Sequence, residues 1–317
     1  MTAAAAAAGP TIVAREISRW YGEVLGLNRV SLAIGPGVTS LVGPNGSGKS
    51  TLMNLLAGLI SPSKGNIEIC GISPAHPEEL NRVLGYCTQH DTFPLGFTGI
   101  EWLTALMRIH GHDAATAARI AGAALDRTGL EDPRRKKIGS YSKGMRQRLK
   151  LALALAHEPR VLILDEPLNG LDPIGRAEVM ALFKDIARGG CTVVISSHIL
   201  HEVNDISDGV LMLQHGYVVA EGAIREVRGE ITDRPFQVLV QCDRAAYLAS
   251  KVFEMSQVVS ARLVEGGVLI ESRDAIALAR MVGGLAARAD LVVEGLEMAD
   301  ESVQAVYDYL IRPGADA

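Results

Sequence analysis

The amino-acid sequence predicts an α/β protein with two domains, a parallel-sheet domain followed by a smaller α+β domain. Two short apolar runs, 162–164 and 192–195, enclose a helical pattern at 174–188. Strands that are covered on both faces are typically short, continuous apolar runs of this kind. The order strand–helix–strand indicates a right-handed parallel unit. Charged residues cluster with glycine and proline at 222–235, and the segments beyond read strand, helix, two strands, helix and strand. That order is typical of a ferredoxin-like unit.

The composition allows two folded domains and weighs against several classes of protein. The chain has 317 residues, of which 48% are hydrophobic and 21% charged, so each domain can form a core. A net charge of −5 weighs against broad nucleic-acid binding, which usually needs a basic surface. The cysteines lie far apart, without the spacing of a zinc site, which indicates free thiols in a reducing compartment. No apolar run is long enough to span a membrane, and residues 1–10, rich in alanine, are expected to form a disordered tail.

The stretch GPNGSGKST at residues 43–51 lies between a strand-like run and a helix-like run. Its spacing is that of a phosphate-binding loop (P-loop). The glycines let backbone N–H groups curl around phosphate oxygens, and a helix that begins near Ser50 directs its positive dipole end at the anion. Lys49 is placed to reach the β- and γ-phosphates, and the Ser50 hydroxyl to hold Mg²⁺. The loop residues expected to bind nucleotide are Gly43, Pro44, Asn45, Gly46, Ser47, Gly48, Lys49, Ser50 and Thr51.

Two adjacent carboxylates, Asp165 and Glu166, follow the apolar run 161–164. The carboxyl end of a parallel strand is where open α/β sheets bind ligands, so we expect both side chains at that edge. Asp165 suits Mg²⁺, directly or through water, and Glu166 can polarise a water molecule for attack on the γ-phosphate.

A third motif, YSKGMRQR at residues 141–148, opens a helical run. Together with the P-loop and the paired carboxylates, it resembles the signature of ATP-binding-cassette (ABC) ATPases. The resemblance covers about residues 11–225 and rests on several motifs in the order that the family has. Further matches are Gln89 to the Q-loop, residues 169–172 to the D-loop, His198 to the switch histidine, and Tyr21 to the aromatic that stacks on adenine.

The signature departs from the common LSGGQ form. Tyr141, Lys143 and Met145 replace the leucine, the first glycine and the glutamine, while Ser142 and Gly144 remain. A hydroxyl and an unobstructed backbone at a helix N-terminus are still present, and both can meet a γ-phosphate. Substitutions of this kind resemble the ATPase subunits of ABC-2-type exporters.

The resemblance implies an ATPase whose two copies pack head to tail and hold ATP and Mg²⁺ between them. One copy would contribute the P-loop, and the other the signature. The catalytic residues implied are Glu166, His198 and Lys49. The residues implied at the metal are Ser50, Gln89 and Asp165. Beyond the loop, the residues implied at the nucleotide are Tyr21, Gln89, Ser142 and Gly144.

The same resemblance implies integral membrane permease subunits as partners, beside a second ATPase copy. The protein would then be cytoplasmic and bound at the inner face of the cell membrane, with the segment 93–110 as the candidate permease-docking surface. The alternative is a soluble ABC ATPase that acts on nucleic acid or ribosomes. Such proteins usually carry two cassettes, or a long coiled coil between P-loop and signature. This chain has one cassette and no heptads there, so no nucleic-acid partner is expected.

The domain boundaries follow from these motifs and from the change in composition at residues 222–235. We expect the ATPase domain at residues 11–228, with a helical subdomain at about 90–156. We expect the α+β domain at 229–317. The role of this second domain is left open, because it carries no catalytic constellation.

Overall fold

The structure is a computed structural model that describes four stretches of the chain, residues 9–231, 234–288, 290–300 and 302–311. Most of the tail expected at residues 1–10 therefore lies outside the described residues. The chain divides into two compact units, residues 1–221 and 222–317. This division comes before the boundary expected after residue 228, because the helix Ile224–Glu230 belongs to the second unit.

The first unit alternates strands and helices. Its strands, the last of which reaches residue 222, are Ile12–Tyr21 (β1), Val24–Ile34 (β2), Gly37–Val42 (β3), Lys64–Ile69 (β4), Leu84–Cys87 (β5), Val161–Leu164 (β6), Thr192–Ser196 (β7), Gly209–Gln214 (β8) and Tyr217–Gly222 (β9). Its helices are Lys49–Leu56 (α1), Pro77–Val83 (α2), Gly99–Ile109 (α3), Ala114–Arg127 (α4), Lys143–Leu155 (α5), Pro173–Arg188 (α6) and Leu200–Ile206 (α7). Two short 3₁₀ turns, Asp132–Arg135 and Ile138–Ser140, lie between α4 and α5.

Two sheets build this unit. A six-stranded sheet has the order β5-β6-β7-β3-β8-β9, and its first five strands pair in parallel. An antiparallel sheet has the order β2-β1-β4. The predicted strand–helix–strand unit is confirmed as β6, α6 and β7, because β6 and β7 are parallel neighbours.

The parallel sheet is covered on both faces, as its apolar runs predict. Along β6, Val161 and Ile163 enter the core shared with α1 and the antiparallel sheet, whereas Leu162 and Leu164 enter the core under α5 and α6. All four side chains are buried. Because parallel strands end at the same edge, the segments that follow β3, β6 and β7 come together there.

The helical segment between β5 and β6 has a core of its own. α3, α4 and α5 pack through buried residues that include Leu103, Ala121, Leu125 and Leu149. Alanine lines most of the buried face of α4, which lets the neighbouring helices approach closely. Thr98 and Glu101 form a capping box at the start of α3, and Ser142 caps α5.

The second unit has the predicted ferredoxin-like order. Its elements are Ile224–Glu230 (α8), Phe236–Cys242 (β10), Ala245–Val252 (α9), Val258–Val264 (β11), Gly267–Ser272 (β12), Ala275–Ala287 (α10), Val293–Met298 (β13) and Val303–Ile311 (α11). The four strands pair antiparallel in the order β11-β12-β10-β13, so the middle pair comes from strands that are not consecutive in the chain. α9 and α10 contribute to its apolar core. Arg228 of α8 is buried and pairs with buried Asp300, which explains why α8 belongs to this unit.

Candidate nucleotide site

The loop between β3 and α1 requires glycine at specific positions. A Cβ atom on Gly43 would lie 2.3 Å from the carbonyl oxygen of Leu213. A Cβ atom on Gly48 would lie 2.8 Å from the carbonyl oxygen of Gly26, and Gly48 has a φ of 109°. Both distances are shorter than any real contact of that kind. The chain therefore wraps tightly at residues 43–48 and leads directly into α1.

Two groups of this loop fit a polyphosphate. The Ser47 hydroxyl is buried, and within the described part of the chain it has no hydrogen-bond partner. The ammonium of Lys49 lies across the loop and donates to the carbonyl oxygens of Gly43, at 2.6 Å, and Pro44, at 3.0 Å. Burial lowers the pKa of Lys49, although the nearby charges of Glu166 and Asp165 act in the opposite direction. A bound phosphate would give this half-buried cation a charged partner in place of two neutral carbonyls.

The paired carboxylates lie at the same edge of the sheet, directly after β6. Asp165 is buried, and its Oδ1 accepts a hydrogen bond of 2.6 Å from the hydroxyl of Ser196. The same hydroxyl accepts a hydrogen bond of 2.8 Å from the backbone N–H of Glu166. Glu166 has a φ of 51°, an uncommon backbone conformation for a residue with a side chain.

The two residues predicted to be catalytic after β6 and β7 are in contact. Nδ1 of His198 lies 2.7 Å from Oε2 of Glu166, and because a carboxylate only accepts, Nδ1 donates. Asn169 Nδ2 donates to the same oxygen at 3.3 Å. The Glu166 side chain is 13% exposed and that of His198 60%, so the pair reaches from the sheet edge to the surface.

Tyr21 lies beside the end of the loop, with its hydroxyl 3.5 Å from Oγ1 of Thr51. Its ring is 45% exposed, so one face can receive a flat ligand. The guanidinium of Arg19 lies 4.9 Å from the centre of this ring. Gln89 is exposed, just after β5, on the side of the sheet where β6 ends.

The signature residues are held elsewhere in the chain. Ser142 is exposed and accepts the N–H of Met145 at 3.2 Å, which caps α5. A Cβ atom on Gly144 would lie 3.2 Å from the carbonyl oxygen of Gly170, so the signature packs against the D-loop. Among the residues that the structure describes, no hydrogen bond joins Ser142 or Gly144 to the P-loop.

Within the described part of the chain, no cluster of three or more histidine, cysteine, aspartate or glutamate side chains could hold a metal ion. The hydroxyl of Ser50, in the loop, and the carboxylate of Asp165, near Lys49, are oxygen ligands of the kind that Mg²⁺ takes. Mg²⁺ commonly takes one or two protein oxygens and completes its shell with phosphate and water. This donor set therefore fits Mg²⁺ that arrives with a nucleotide.

Comparison with known proteins identifies the family. The family model described as ABC transporter matches residues 27–169. The bacitracin transport ATP-binding protein BcrA of Enterococcus faecalis is 30% identical over 96% of this chain and 98% of its own length. The uncharacterized ABC transporter ATP-binding protein YxlF of Bacillus subtilis (strain 168) is 35% identical over 68% of this chain and 71% of its own length. This chain belongs to the ABC transporter ATP-binding proteins. It is an ATPase whose hydrolysis of ATP is coupled to transport.

Solved structures agree with this membership. An ATP-binding subunit of an ABC transporter superposes with a TM-score of 0.65 at 27% identity, over 69% of this chain and 92% of its own length. The ATP-binding cassette MJ0796, solved as a dimer in a post-hydrolysis state with ADP and Pi, has a TM-score of 0.61 at 25% identity, over 67% and 98%. In the part of this ABC ATPase that the structure describes, no helix has the length and hydropathy needed to cross a membrane.

The structure brings some of the predicted site residues of the ABC ATPase together. Asp165, Glu166 and His198 meet at one edge of the sheet, and Lys49 lies within the electrostatic influence of both carboxylates. Sequence reasoning missed Ser196, which binds both carboxylate residues. Ser196 lies two positions before the switch histidine, so the sequence could have drawn attention to its hydroxyl. Only the pairing of β6 with β7 places that hydroxyl between Asp165 and Glu166.

Proposed function

We propose that this ABC ATPase powers a membrane exporter, and that ATP closes two copies of it head to tail. The observation that carries the dimer is that, among the residues the structure describes, no hydrogen bond joins Ser142 or Gly144 to the P-loop of the same chain. The N-terminus of α5, where the Ser142 hydroxyl is exposed, is a suitable anion site. In the dimer, the signature of one copy meets the γ-phosphate held by the loop of the other.

Family membership supports a role for each of the site residues. Ser50, Asp165 and Gln89 would hold Mg²⁺ together with phosphate oxygens, and the metal would neutralise charge on those oxygens. Lys49 and the loop amides would bind the β- and γ-phosphates, and Tyr21 would stack on the base.

Glu166 would orient and polarise the attacking water, because its carboxylate is held by two donors and remains partly exposed. A protonated His198 donates from both ring nitrogens, so it can bind Glu166 through Nδ1 and a phosphate oxygen through Nε2. This contact would stabilise charge that develops on the γ-phosphate in the transition state. Release of phosphate removes the contacts that closed the dimer, which then opens.

The exporter assignment is supported by the signature and by the names of relatives. Among these are a daunorubicin resistance ATP-binding protein of Streptomyces coeruleorubidus, 37% identical over 66% of this chain, and a Nod factor export ATP-binding protein of Burkholderia orbicola, 34% identical over 66%. We infer that integral membrane permease subunits are the partners and hold this protein at the cytoplasmic face of the membrane. The segment 93–110 presents three exposed apolar side chains for that contact, Leu95, Phe97 and Ile109.

The proposal is tested by comparing Glu166→Gln with Lys49→Ala. Glutamine keeps the size and the acceptor oxygen of Glu166 but cannot serve as a base, so turnover should fall by about 10²- to 10⁴-fold while ATP affinity stays near that of the wild type. Lys49→Ala removes a charge-assisted contact to phosphate, so affinity for a fluorescent ATP analogue should fall about tenfold or more. Steady-state phosphate release and fluorescence titration give the two readouts.

The same Glu166→Gln variant tests dimer closure. With saturating Mg-ATP it should sediment as a dimer, and Lys49→Ala should remain monomeric. Normal hydrolysis by Glu166→Gln would exclude the proposed base. A Glu166→Gln protein that stays monomeric with Mg-ATP, even when a permease is supplied, would exclude the ATP-closed dimer.

A further inference from the structure

Lys150 is a buried lysine in the signature helix α5. Its side chain is only 8% exposed. Lysine is among the residues least often buried, because taking its charge out of water is costly unless the ammonium is fully bonded. The ammonium of Lys150 therefore needs hydrogen-bond and ion-pair partners that offset the cost of removing its charge from water.

The ammonium of Lys150 has three acceptors for its three N–H donors. It donates to the carbonyl oxygens of Thr88 and Gln89, each at 3.1 Å, and it forms an ion pair of 3.1 Å with Oδ1 of Asp91. Burial raises the pKa of the neighbouring Cys87 thiol to about 12, so that thiol stays neutral and Asp91 carries the compensating charge. All three acceptors lie in the segment 88–91, directly after β5.

The turn of α5 that precedes Lys150 makes a second connection of the same kind. Gln147 is buried, and its Nε2 donates to the carbonyl oxygen of Pro167 at 2.8 Å. Pro167 directly follows the paired carboxylates. α5 is therefore tied by side chains to the Q-loop segment 88–91 and to the loop that carries Glu166, while its own N-terminus carries Ser142.

We propose that Lys150 is a positioning residue that joins Gln89 rigidly to the signature helix and thereby couples the two ATP sites of the dimer. This inference rests on the proposed function. In that dimer, Gln89 serves the nucleotide bound by its own chain, whereas Ser142 and Gly144 serve the nucleotide bound by the other. Gln89 and the signature residues of one chain are joined by this rigid link. Binding of one nucleotide at Gln89 therefore sets the position of Ser142 and Gly144 at the other nucleotide.

The test uses the full-length protein with three substitutions. Lys150→Met keeps the apolar stem but removes all three N–H donors. Lys150→Arg retains charge and donors and is the conservative rescue. Lys136→Met, at an exposed lysine of the same helical segment, is the matched control.

Four measurements distinguish positioning from simple stabilisation. Thermal unfolding shows whether each variant folds, and fluorescent-nucleotide titration gives the ATP affinity of the monomer. Sedimentation in the Glu166→Gln background gives the ATP concentration at half-dimerisation, and phosphate release gives kcat and the Hill coefficient for ATP.

For Lys150→Met we expect monomer affinity within about twofold of wild type, because the P-loop is untouched. We expect the ATP concentration at half-dimerisation to rise about tenfold, kcat to fall about tenfold and the Hill coefficient to fall towards one, each corresponding to the loss of roughly one charged hydrogen-bond contact. Lys150→Arg should recover at least part of each change, and Lys136→Met should match the wild type.

A folded Lys150→Met protein with wild-type dimerisation, kcat and Hill coefficient would overturn the inference. If Lys150→Met does not fold, Asp91→Asn takes its place, since it removes the ion pair and leaves both carbonyl contacts. It should move the same readouts in the same direction by about threefold, and wild-type values would overturn the inference equally. Failure of the Glu166→Gln protein itself to dimerise with ATP would instead remove the proposed function.

Discussion

Ser196→Ala should impair both the stability and the turnover of this ABC ATPase. The Ser196 hydroxyl is fully buried, donates to Asp165 and accepts from the backbone N–H of Glu166. Removing it leaves a carboxylate with one donor fewer and a sheltered amide without a partner. A hydrogen bond to a charged group contributes about 1.5–3 kcal/mol, and an unpaired buried polar group costs about 1–3 kcal/mol.

Local relaxation will recover part of this sum, so we expect the free energy of unfolding to fall by about 3 kcal/mol. Turnover should fall about tenfold, because about 1.4 kcal/mol of lost positioning at the two carboxylates corresponds to that factor. Urea titration followed by tryptophan fluorescence is suitable, since both tryptophans, Trp20 and Trp102, lie in the first unit. Phosphate release measures kcat.

Ser197→Ala is the matched control. The Ser197 hydroxyl accepts a neutral bond of 3.0 Å from the N–H of Ile199, so its loss should cost about 1 kcal/mol of stability. This hydrogen bond of Ser197 involves neither carboxylate, so the kcat of the Ser197→Ala protein should stay close to that of the wild type. If Ser196→Ala unfolds within about 0.5 kcal/mol of the wild type and keeps its kcat, the shared hydroxyl does not hold the two carboxylate residues, and the reasoning is refuted.

Two further predictions concern residues away from the nucleotide. Burial lowers the pKa of His157, whose Nε2 lies 3.0 Å from the carbonyl oxygen of Leu84. As pH falls through the ordinary value of 6.5, the unfolded chain takes up a proton at His157 that the folded chain resists, so the free energy of unfolding declines. His157→Gln should reduce this decline in urea titrations between pH 7.5 and 5.5. An unchanged dependence of the free energy of unfolding on pH would contradict the prediction. Arg228→Met leaves the carboxylate of Asp300 buried without its cation and should destabilise the second unit by about 3–5 kcal/mol. Circular dichroism should then show an earlier partial transition, while the tryptophan transition of the first unit keeps its midpoint; coincident wild-type curves would count against the role of this ion pair.

Local patterns were enough to predict the elements that surround the site. The loop at 43–51 is fixed by neighbours in sequence, because glycines, a lysine and a serine act within one turn between a strand and a helix. The apolar run 161–164 predicts a strand buried on both faces, and β6 is buried throughout. The order of elements beyond residue 235 was likewise readable from periodicity, and the sheet order β11-β12-β10-β13 agrees with it.

Boundaries and distant contacts could not be read in the same way. Charge and glycine content placed the domain boundary after residue 228, whereas α8 joins the second unit because Arg228 finds its partner at Asp300, far along the chain. The motif around residue 198 pointed to the histidine and not to the serine two positions earlier. Hydroxyl and ammonium groups reveal a role only when their partners are known, and those partners lie on other strands and loops.

The sequence by itself therefore determined the family, the nucleotide loop and the types of side chain at the carboxyl ends of the strands, since each depends on spacing within a short segment. Tertiary structure alone decided that Ser196 lies between Asp165 and Glu166 and that Lys150 bonds to the segment 88–91. The physical reason is that a buried hydrogen bond joins groups by distance in space, and the parallel pairing of β5, β6 and β7 sets that distance for residues far apart in the chain.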